Sequence, residues 1–125
     1  MAHRVLIVDD EIDTCKMLVM GLKAQGFEAE YALSGAQALA RIHTDPPDAI
    51  VLDLMMPDTD GFEVTRYLRS HAATEKLPIL ILSAIARPDA EEEALRLGAN
   101  IFLRKPIGPR NLAMFIRKVM EKPNP

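Results

Sequence analysis

The sequence has little cysteine and few aromatic residues, and it has no long apolar run. A single cysteine among 125 residues excludes an internal disulfide framework and fits a reducing cytoplasm. No apolar run approaches the roughly 18 residues of a membrane-spanning helix, and the start of the chain has no secretory-signal pattern. The net charge of −3 gives no global basic footprint for nucleic acid. We therefore expect a cytoplasmic protein that binds neither a membrane nor nucleic acid directly.

Glycine is absent from the segment where several classes of phosphate-binding site require it. The first predicted strand, Arg4–Val8, is followed by Asp-Asp-Glu at 9–11 and not by a glycine-rich loop. Dinucleotide-binding and Walker-type sites therefore lack the backbone cradle that holds their phosphates. A flavin site of the flavodoxin type needs a phosphate-accepting loop at the same place, where these acids would repel a phosphate that carries no metal.

Short apolar runs alternate with segments of helical periodicity five times along the chain. This alternation predicts one domain with a parallel β-sheet that is covered by helices on both faces. The predicted strands are Arg4–Val8, Glu28–Ala32, Ala49–Leu52, residues 79–82 and residues 101–104. The predicted helices cover residues 12–25, 34–45, 62–70 and 89–97, and a last helix opens at Gly108-Pro109. The strand at 28–32 alternates polar and apolar residues, which places it at an edge of the sheet.

Several local features are predicted with these elements. The first helix should bury one apolar stripe, which is formed by Ile12, Cys15, Leu18, Val19 and Leu22. On that stripe the cysteine is a core residue, whereas the three histidines show no ligand spacing and should be exposed. Residues 56–61 carry proline and glycine and predict a sharp turn. We assign residues 1–122 to the domain and residues 123–125 to a tail or the start of a linker.

Polar side chains follow four of the five predicted strands. Asp9 and Asp10 follow the first strand, Asp53 follows the third, Ser83 the fourth and Lys105 the fifth. The carboxyl ends of parallel strands share one edge of the sheet, and ligands bind there. Each residue alone has an ordinary explanation, since aspartates cap helices, serines satisfy backbone groups and lysines lie on surfaces. Together they predict one site.

The chemistry of this set favours a cation and a phosphoryl group. Three converging carboxylates repel one another unless a cation is present. Hard oxygen ligands suit Mg²⁺, which keeps several waters and takes few carboxylates. Lys105 can neutralise the acids and also bind a phosphoryl oxygen.

The chain resembles, over essentially its whole length, the receiver domain of two-component response regulators. The matching segments are Val-Asp-Asp-Glu at 8–11, Leu-Asp-Leu-Met-Met-Pro-Asp at 52–58, Asp-Gly-Phe-Glu at 60–63, Leu-Ser-Ala at 82–84, Gly-Ala-Asn at 98–100 and Lys-Pro at 105–106. The resemblance implies an α/β fold of the flavodoxin-like, doubly wound (βα)5 type. Its five-stranded parallel sheet would have the order 2-1-3-4-5, with helices on both faces, and its Lys105–Pro106 bond would be cis.

The same resemblance implies a role for each residue of the site. Asp53 would be the phosphoacceptor, Asp10 would bind Mg²⁺ directly and Asp9 would bind it largely through water. The backbone carbonyl of Met55 would supply another metal ligand, and Ser83 would hold a phosphoryl oxygen together with Lys105.

Two further roles concern the response to phosphorylation. Movement of Ser83 would leave space for Phe102, at the aromatic switch position, to turn inward and change the surface of the fourth helix, fifth strand and fifth helix. Met55 and Ile85 would flank the path of the hydrolytic water. Because neither side chain can orient a water, we expect a long-lived phosphorylated form.

The implied partner is a histidine kinase or a histidine phosphotransfer protein, and the domain would catalyse only its own phosphorylation and dephosphorylation. Docking is expected on the first helix and the loop after the fifth strand, at Thr14, Met17, Gly21, Ile107, Gly108 and Pro109. Alternatively, the methionines of the first helix only widen its buried face. A homodimer on phosphorylation, a Mg²⁺-dependent hydrolase with an aspartyl-phosphate intermediate, and a pseudo-receiver that only binds partners remain open alternatives.

Overall fold

The apolar runs form one parallel sheet because strands covered on both faces need apolar side chains on both sides. The computed structural model of the protein describes residues 2–121. The strands are β1 (Arg4–Val8), β2 (Glu28–Ala32), β3 (Ala49–Leu52), β4 (Met55–Met56), β5 (Thr59–Asp60), β6 (Ile79–Ser83) and β7 (Ile101–Arg104). The five longer strands have the order β2-β1-β3-β6-β7 and pair in parallel. This is the predicted order once the short β4–β5 hairpin is left out.

Five helices cover the sheet in two layers. They are α1 (Ile12–Ala24), α2 (Gly35–Thr44), α3 (Gly61–Arg69), α4 (Ala90–Arg96) and α5 (Pro109–Glu121). One core cluster joins α1 and α5 to one face of the sheet, and a second joins α2, α3 and α4 to the other. The central strand β3 is fully buried, whereas β2 is exposed along one side as an edge strand.

A capping serine begins one helix, and glycines follow the ends of two others, as the sequence indicates. The Ser34 hydroxyl accepts a hydrogen bond from the Gln37 backbone N–H at 3.1 Å and so caps α2. Gly26 and Gly98 have φ angles of 96° and 116° after α1 and α4, a conformation that glycine adopts without steric cost. The Lys105–Pro106 bond is cis, as predicted.

One local prediction needs correction. Ile12 is 42% exposed, because it is the first residue of α1 and precedes the part of the helix that is buried. Cys15, Leu18 and Leu22 form the buried stripe. The sharp turn predicted at 56–61 is confirmed at residues 57–58. It joins the two strands of the β4–β5 hairpin, which have only two residues each and are too short to give a periodic signal.

The remaining predictions concern the exposed residues, membrane-spanning helices and the C-terminal tail. The three histidines are exposed, as predicted. Within residues 2–121, every helix is too short or too polar to cross a membrane. The predicted tail, residues 123–125, lies outside the described residues, so the boundary at 122 stays a prediction.

Candidate functional site

The three aspartates predicted from the strand ends meet at one edge of the sheet. One carboxylate oxygen from each of Asp9, Asp10 and Asp53 lies within 4.8 Å of the others. Asp9 and Asp53 are buried, with 3% and 6% of their surface exposed, whereas Asp10 is exposed. The topology explains this convergence, since β1 and β3 are adjacent parallel strands and both run toward this edge. The arrangement has the geometry of a candidate cation site.

Lys105 joins two of these acids from the end of β7. Its Nζ donates to Asp9 Oδ2 at 2.6 Å and to Asp53 Oδ2 at 3.1 Å, and it lies 3.9 Å from Glu11 Oε1. Burial alone would lower the pKa of Lys105, but the hydrogen bond to Asp9 and the charge of Asp53 together raise that pKa above its ordinary value. The ammonium group therefore stays charged and offsets two buried carboxylates.

Backbone N–H groups hold the other oxygen of each buried acid. Asp9 Oδ1 accepts from the Glu11 N–H at 3.0 Å, and Asp53 Oδ1 accepts from the Met55 N–H at 3.1 Å. Each carboxylate thus contacts its own loop through one oxygen and Lys105 through the other. Both orientations are fixed before any ligand arrives, which is the preorganisation that electrostatic catalysis needs.

Ser83 ends β6 on the same edge and is fully buried. Its hydroxyl oxygen accepts a hydrogen bond from the Ile85 N–H at 3.2 Å, so it is engaged with its own loop and with none of the three acids. The Ser83 carbonyl accepts from the Lys105 N–H at 3.0 Å, which extends the ladder between β6 and β7 into the site. Any movement of the hydroxyl toward a phosphoryl group would therefore act directly on Ile85.

Phe102, the predicted aromatic switch, lies inward in this structure. Only 8% of its surface is exposed, and it belongs to the core formed with α2, α3 and α4. The Arg104 guanidinium lies over the ring, 5.2 Å from its centre. The turn of this ring on phosphorylation stays a prediction.

Met55 begins β4, two residues after Asp53, and Ile85 lies in the loop that follows Ser83. The Met55 side chain is 58% exposed, and Ile85 is half-buried against the core of α2, α3 and α4. Neither side chain carries a hydrogen-bonding group that could orient a water. The prediction of a long-lived phosphorylated form rests on this lack of a water-orienting group at both positions.

The structure adds residues that sequence reasoning passed over. Gly61 lies against the Asp53 and Leu54 backbone, where a Cβ atom would come within 2.7 Å of the Asp53 carbonyl oxygen. The Asp-Gly pair in the turn was its only sequence signal. Arg104 reaches the Ile85 carbonyl from the end of β7, and nothing in the sequence around it indicates this contact.

Cys15 lies beneath the site but has no chemical role in it. Its Sγ donates to the Asp9 carbonyl at 3.3 Å. Burial, with the added charge of Asp9, raises the pKa of the thiol to about 11. It therefore remains a neutral core thiol at neutral pH, as the helical stripe predicted.

Comparisons with known proteins agree with this geometry. A solved putative response regulator from Chloroflexus aurantiacus superposes with a TM-score of 0.91 at 34% identity, over 98% of this chain and 100% of that chain. The chemotaxis response regulator CheY4 of Vibrio cholerae gives 0.88 at 33% identity, over 95% of this chain and 99% of that one. These similarities place the five-stranded fold among receiver domains.

Similar sequences and a family description support the same assignment. The chain is 36% identical over 121 residues to the phosphate regulon transcriptional regulatory protein PhoB of Pseudomonas aeruginosa, which is 97% of this chain and 53% of that protein. It is 38% identical over 125 residues to the response regulator MprA of Mycobacterium bovis, which is 100% of this chain and 54% of that protein. The chain thus spans about half the length of these relatives. The response regulator receiver domain model matches residues 5–117, and the chain therefore belongs to that family.

Proposed function

We propose that this receiver domain accepts a phosphoryl group on Asp53 from a histidine kinase or a histidine phosphotransfer protein. The observation that carries the proposal is the position of Lys105, which contacts the Oδ2 atoms of both Asp9 and Asp53 at the sheet edge. A carboxylate that is held by one backbone N–H and one ammonium is oriented for attack without any side-chain rearrangement. The family membership supplies the reaction class.

The transfer exchanges one bond for another. A carboxylate oxygen of Asp53 forms the new O–P bond while the N–P bond to the donor imidazole breaks, and the bonding electrons return to that nitrogen. Such a step depends on alignment of the donor nitrogen, the phosphorus and the attacking oxygen, and on neutralisation of the charge on the phosphoryl oxygens. Lys105 is placed to contact a phosphoryl oxygen once it loosens from Asp53, and Ser83 offers a hydroxyl proton from the end of β6. No residue has to remove a proton from the nucleophile, because Asp53 reacts as a carboxylate.

The donor set fits Mg²⁺. Three carboxylates within 4.8 Å provide hard oxygen ligands, and the exposed Asp10 leaves an open side where the ion can keep waters. Asp10 would bind the ion directly, Asp9 through water, and the Asp53 carboxylate and Met55 carbonyl would complete the protein ligands. The bound ion would neutralise charge that develops on the phosphoryl oxygens.

Phosphorylation by a small acyl phosphate with Mg²⁺ tests this function without a cognate kinase. Intact mass should show one added phosphoryl group in the wild-type protein and none in Asp53→Ala. Removing Mg²⁺ with a chelator should prevent the addition, and restoring the ion should recover it. Sustained turnover of small phosphate esters would instead favour the hydrolase alternative, because a receiver modifies only itself. A wild-type protein that folds but gains no phosphoryl group would support the pseudo-receiver.

Partner docking would use the flank of α1 beside the site. Met17 is 48% exposed and Met20 is 73% exposed, so both side chains lie largely outside the buried face of α1 and are accessible to a partner. Thr14, Met17, Lys105 and Ile107 line a cleft of about 140 Å³ beside the site. Acidic substitutions at Thr14 and Met17 should slow transfer from a kinase and leave transfer from a small acyl phosphate unchanged. Equal slowing of both reactions would count against docking on this flank.

A homodimer through α4, β7 and α5 is a weaker part of the proposal. The acidic residues of α4 could face the basic residues of α5 across a two-fold axis. However, Glu93 and Asp89 already pair with Arg87 inside the chain, which reduces the charge left for a partner. Sedimentation with and without beryllofluoride decides the matter, and a monomer under both conditions would reject the dimer.

We also place the protein in the cytoplasm, since its single cysteine is a buried free thiol.

A further inference from the structure

Arg104 is linked to the candidate site through the backbone of one residue, Ile85. Its Nη1 donates to the Ile85 carbonyl at 3.2 Å, and its guanidinium carbon lies 5.2 Å from the centre of the Phe102 ring. The Ile85 N–H, on the other side of the same residue, donates to the Ser83 hydroxyl oxygen at 3.2 Å. Ile85 is therefore held from both sides, by the site and by Arg104.

The loop that carries Ile85 is also anchored at its far end. Arg87 lies over the Phe62 ring, 4.7 Å from its centre, and it pairs with Asp89 at 2.8 Å and with Glu93. These contacts fix the loop to α3 and α4. Because this loop is anchored at its far end, we expect a shift of the Ser83 hydroxyl to be felt at the Ile85 carbonyl and its contact with Arg104.

We propose that Arg104 is a positioning residue that holds the Ser83–Ile85 loop in the unphosphorylated arrangement and releases it on phosphorylation. The proposal rests on Asp53 phosphorylation as proposed above. When the Ser83 hydroxyl turns to a phosphoryl oxygen, its bond to the Ile85 N–H weakens and the Ile85 carbonyl leaves Arg104. The guanidinium then becomes free on the exposed side of β7. The group that reports the change at this surface is thus a cation.

Removing Arg104 has two effects of opposite sign on the affinity for a phosphoryl group, so the direction of the measured change tests the proposal. Loss of a positive charge near an anionic site should weaken binding of a phosphoryl group through its field. The contact between Arg104 and the Ile85 carbonyl exists only in the unphosphorylated arrangement. Its loss should strengthen binding, because binding of a phosphoryl group then no longer requires this contact to be broken. An exposed hydrogen bond of ordinary strength predicts a gain of about twofold to tenfold in affinity.

The probe is beryllofluoride with Mg²⁺, which mimics the phosphoryl group, together with the ¹³C carbonyl shift of Ile85. In the wild-type protein the Ile85 carbonyl and the Arg104 Nε signals should both shift on binding. In Arg104→Met without ligand, the Ile85 signal should already lie near its bound position. The affinity for beryllofluoride should rise about twofold to tenfold, and Arg104→Lys should restore part of the wild-type behaviour. Arg110→Met is the matched control, since Arg110 is exposed and lies in α5, away from the Ser83–Ile85 loop, and it should change neither signal.

The outcomes separate this inference from the function on which it rests. If beryllofluoride shifts the Asp53 and Lys105 signals but leaves Ile85 and Arg104 unchanged, the function stands and the role of Arg104 is refuted. Equal or weaker binding by Arg104→Met would also refute it, even if the Ile85 signal moved. If the wild-type protein binds no beryllofluoride, the proposed function itself fails. Should Arg104→Met not fold, the wild-type shifts and the Arg104→Lys variant still decide the question.

Discussion

Gly61 offers a substitution whose effect can be worked out from the structure. It opens α3 directly after the β4–β5 hairpin, and its N–H donates to the Leu54 carbonyl at 3.2 Å. A Cβ atom at this position would lie 2.6 Å from Leu54 Cα and 2.7 Å from the Asp53 carbonyl oxygen. Both are backbone atoms and cannot rotate away. The change Gly61→Ala therefore displaces the backbone of Asp53 and Leu54 directly.

The size of the effect follows from ordinary contact distances. Carbon atoms in contact lie about 3.5–4.0 Å apart, so the loop must move by roughly 1 Å to accept the methyl group. Overpacking of this kind costs about 1–3 kcal/mol, and the gain in helix propensity from glycine to alanine offsets at most about 1 kcal/mol. A displacement of about 1 Å at Asp53 can also slow the reaction by about 100-fold.

The assay pairs urea unfolding with phosphorylation by a small acyl phosphate. Gly61→Ala should lose about 1–2 kcal/mol of unfolding free energy and should be phosphorylated about tenfold to 100-fold more slowly. Gly108→Ala is the matched control, because a Cβ atom there meets nothing within 4 Å, and it should leave the rate unchanged. A Gly61→Ala protein with wild-type stability and rate would refute the reasoning, because the close approach would then carry no constraint.

Three further predictions concern the site and its surroundings. Because the folded pKa of Lys105 is raised, its ion cluster stabilises the protein fully below the ordinary value of 10.5. That stabilisation is lost as pH rises through the folded pKa, so the difference in unfolding free energy between wild type and Lys105→Met should shrink there. The phosphorylated form should decay slowly, and Met55→Asn with Ile85→Glu should speed decay by about 10- to 100-fold; unchanged decay would reject a role for these positions. Arg69→Met should destabilise the protein by about 1–3 kcal/mol in thermal unfolding, since Arg69 donates to the Gly98 carbonyl and Asn100 Oδ1.

The sequence predicted the strands well because their signal is local. Each apolar run became a strand with nearly the predicted bounds, and the capping serine and the two helix-ending glycines act over only a few residues. The convergence of the acids with Lys105 was also predictable, since parallel strands bring their carboxyl ends to one edge. These features follow from period, burial and topology.

Other features depend on contacts that the sequence does not encode locally. The β4–β5 hairpin has only two residues in each strand, and the exposure of Ile12 depends on which turn of α1 is the first to pack against the core. The inward position of Phe102 and the reach of Arg104 to Ile85 depend on how two neighbouring strands and one loop pack together. Long-range packing of this kind is set by the whole domain, so pattern alone gives no signal for it.

The central claim is that Asp53 carries the phosphoryl group, and chemical mapping tests it most directly. Borohydride reduces an acyl phosphate to an alcohol, so phosphorylated protein treated in this way should contain homoserine in place of the modified aspartate. Peptide mass spectrometry should then find homoserine at position 53 and unmodified aspartate at positions 9 and 10. Homoserine at another position, or a phosphoryl group that survives on a histidine with Asp53 unmodified, would contradict the account.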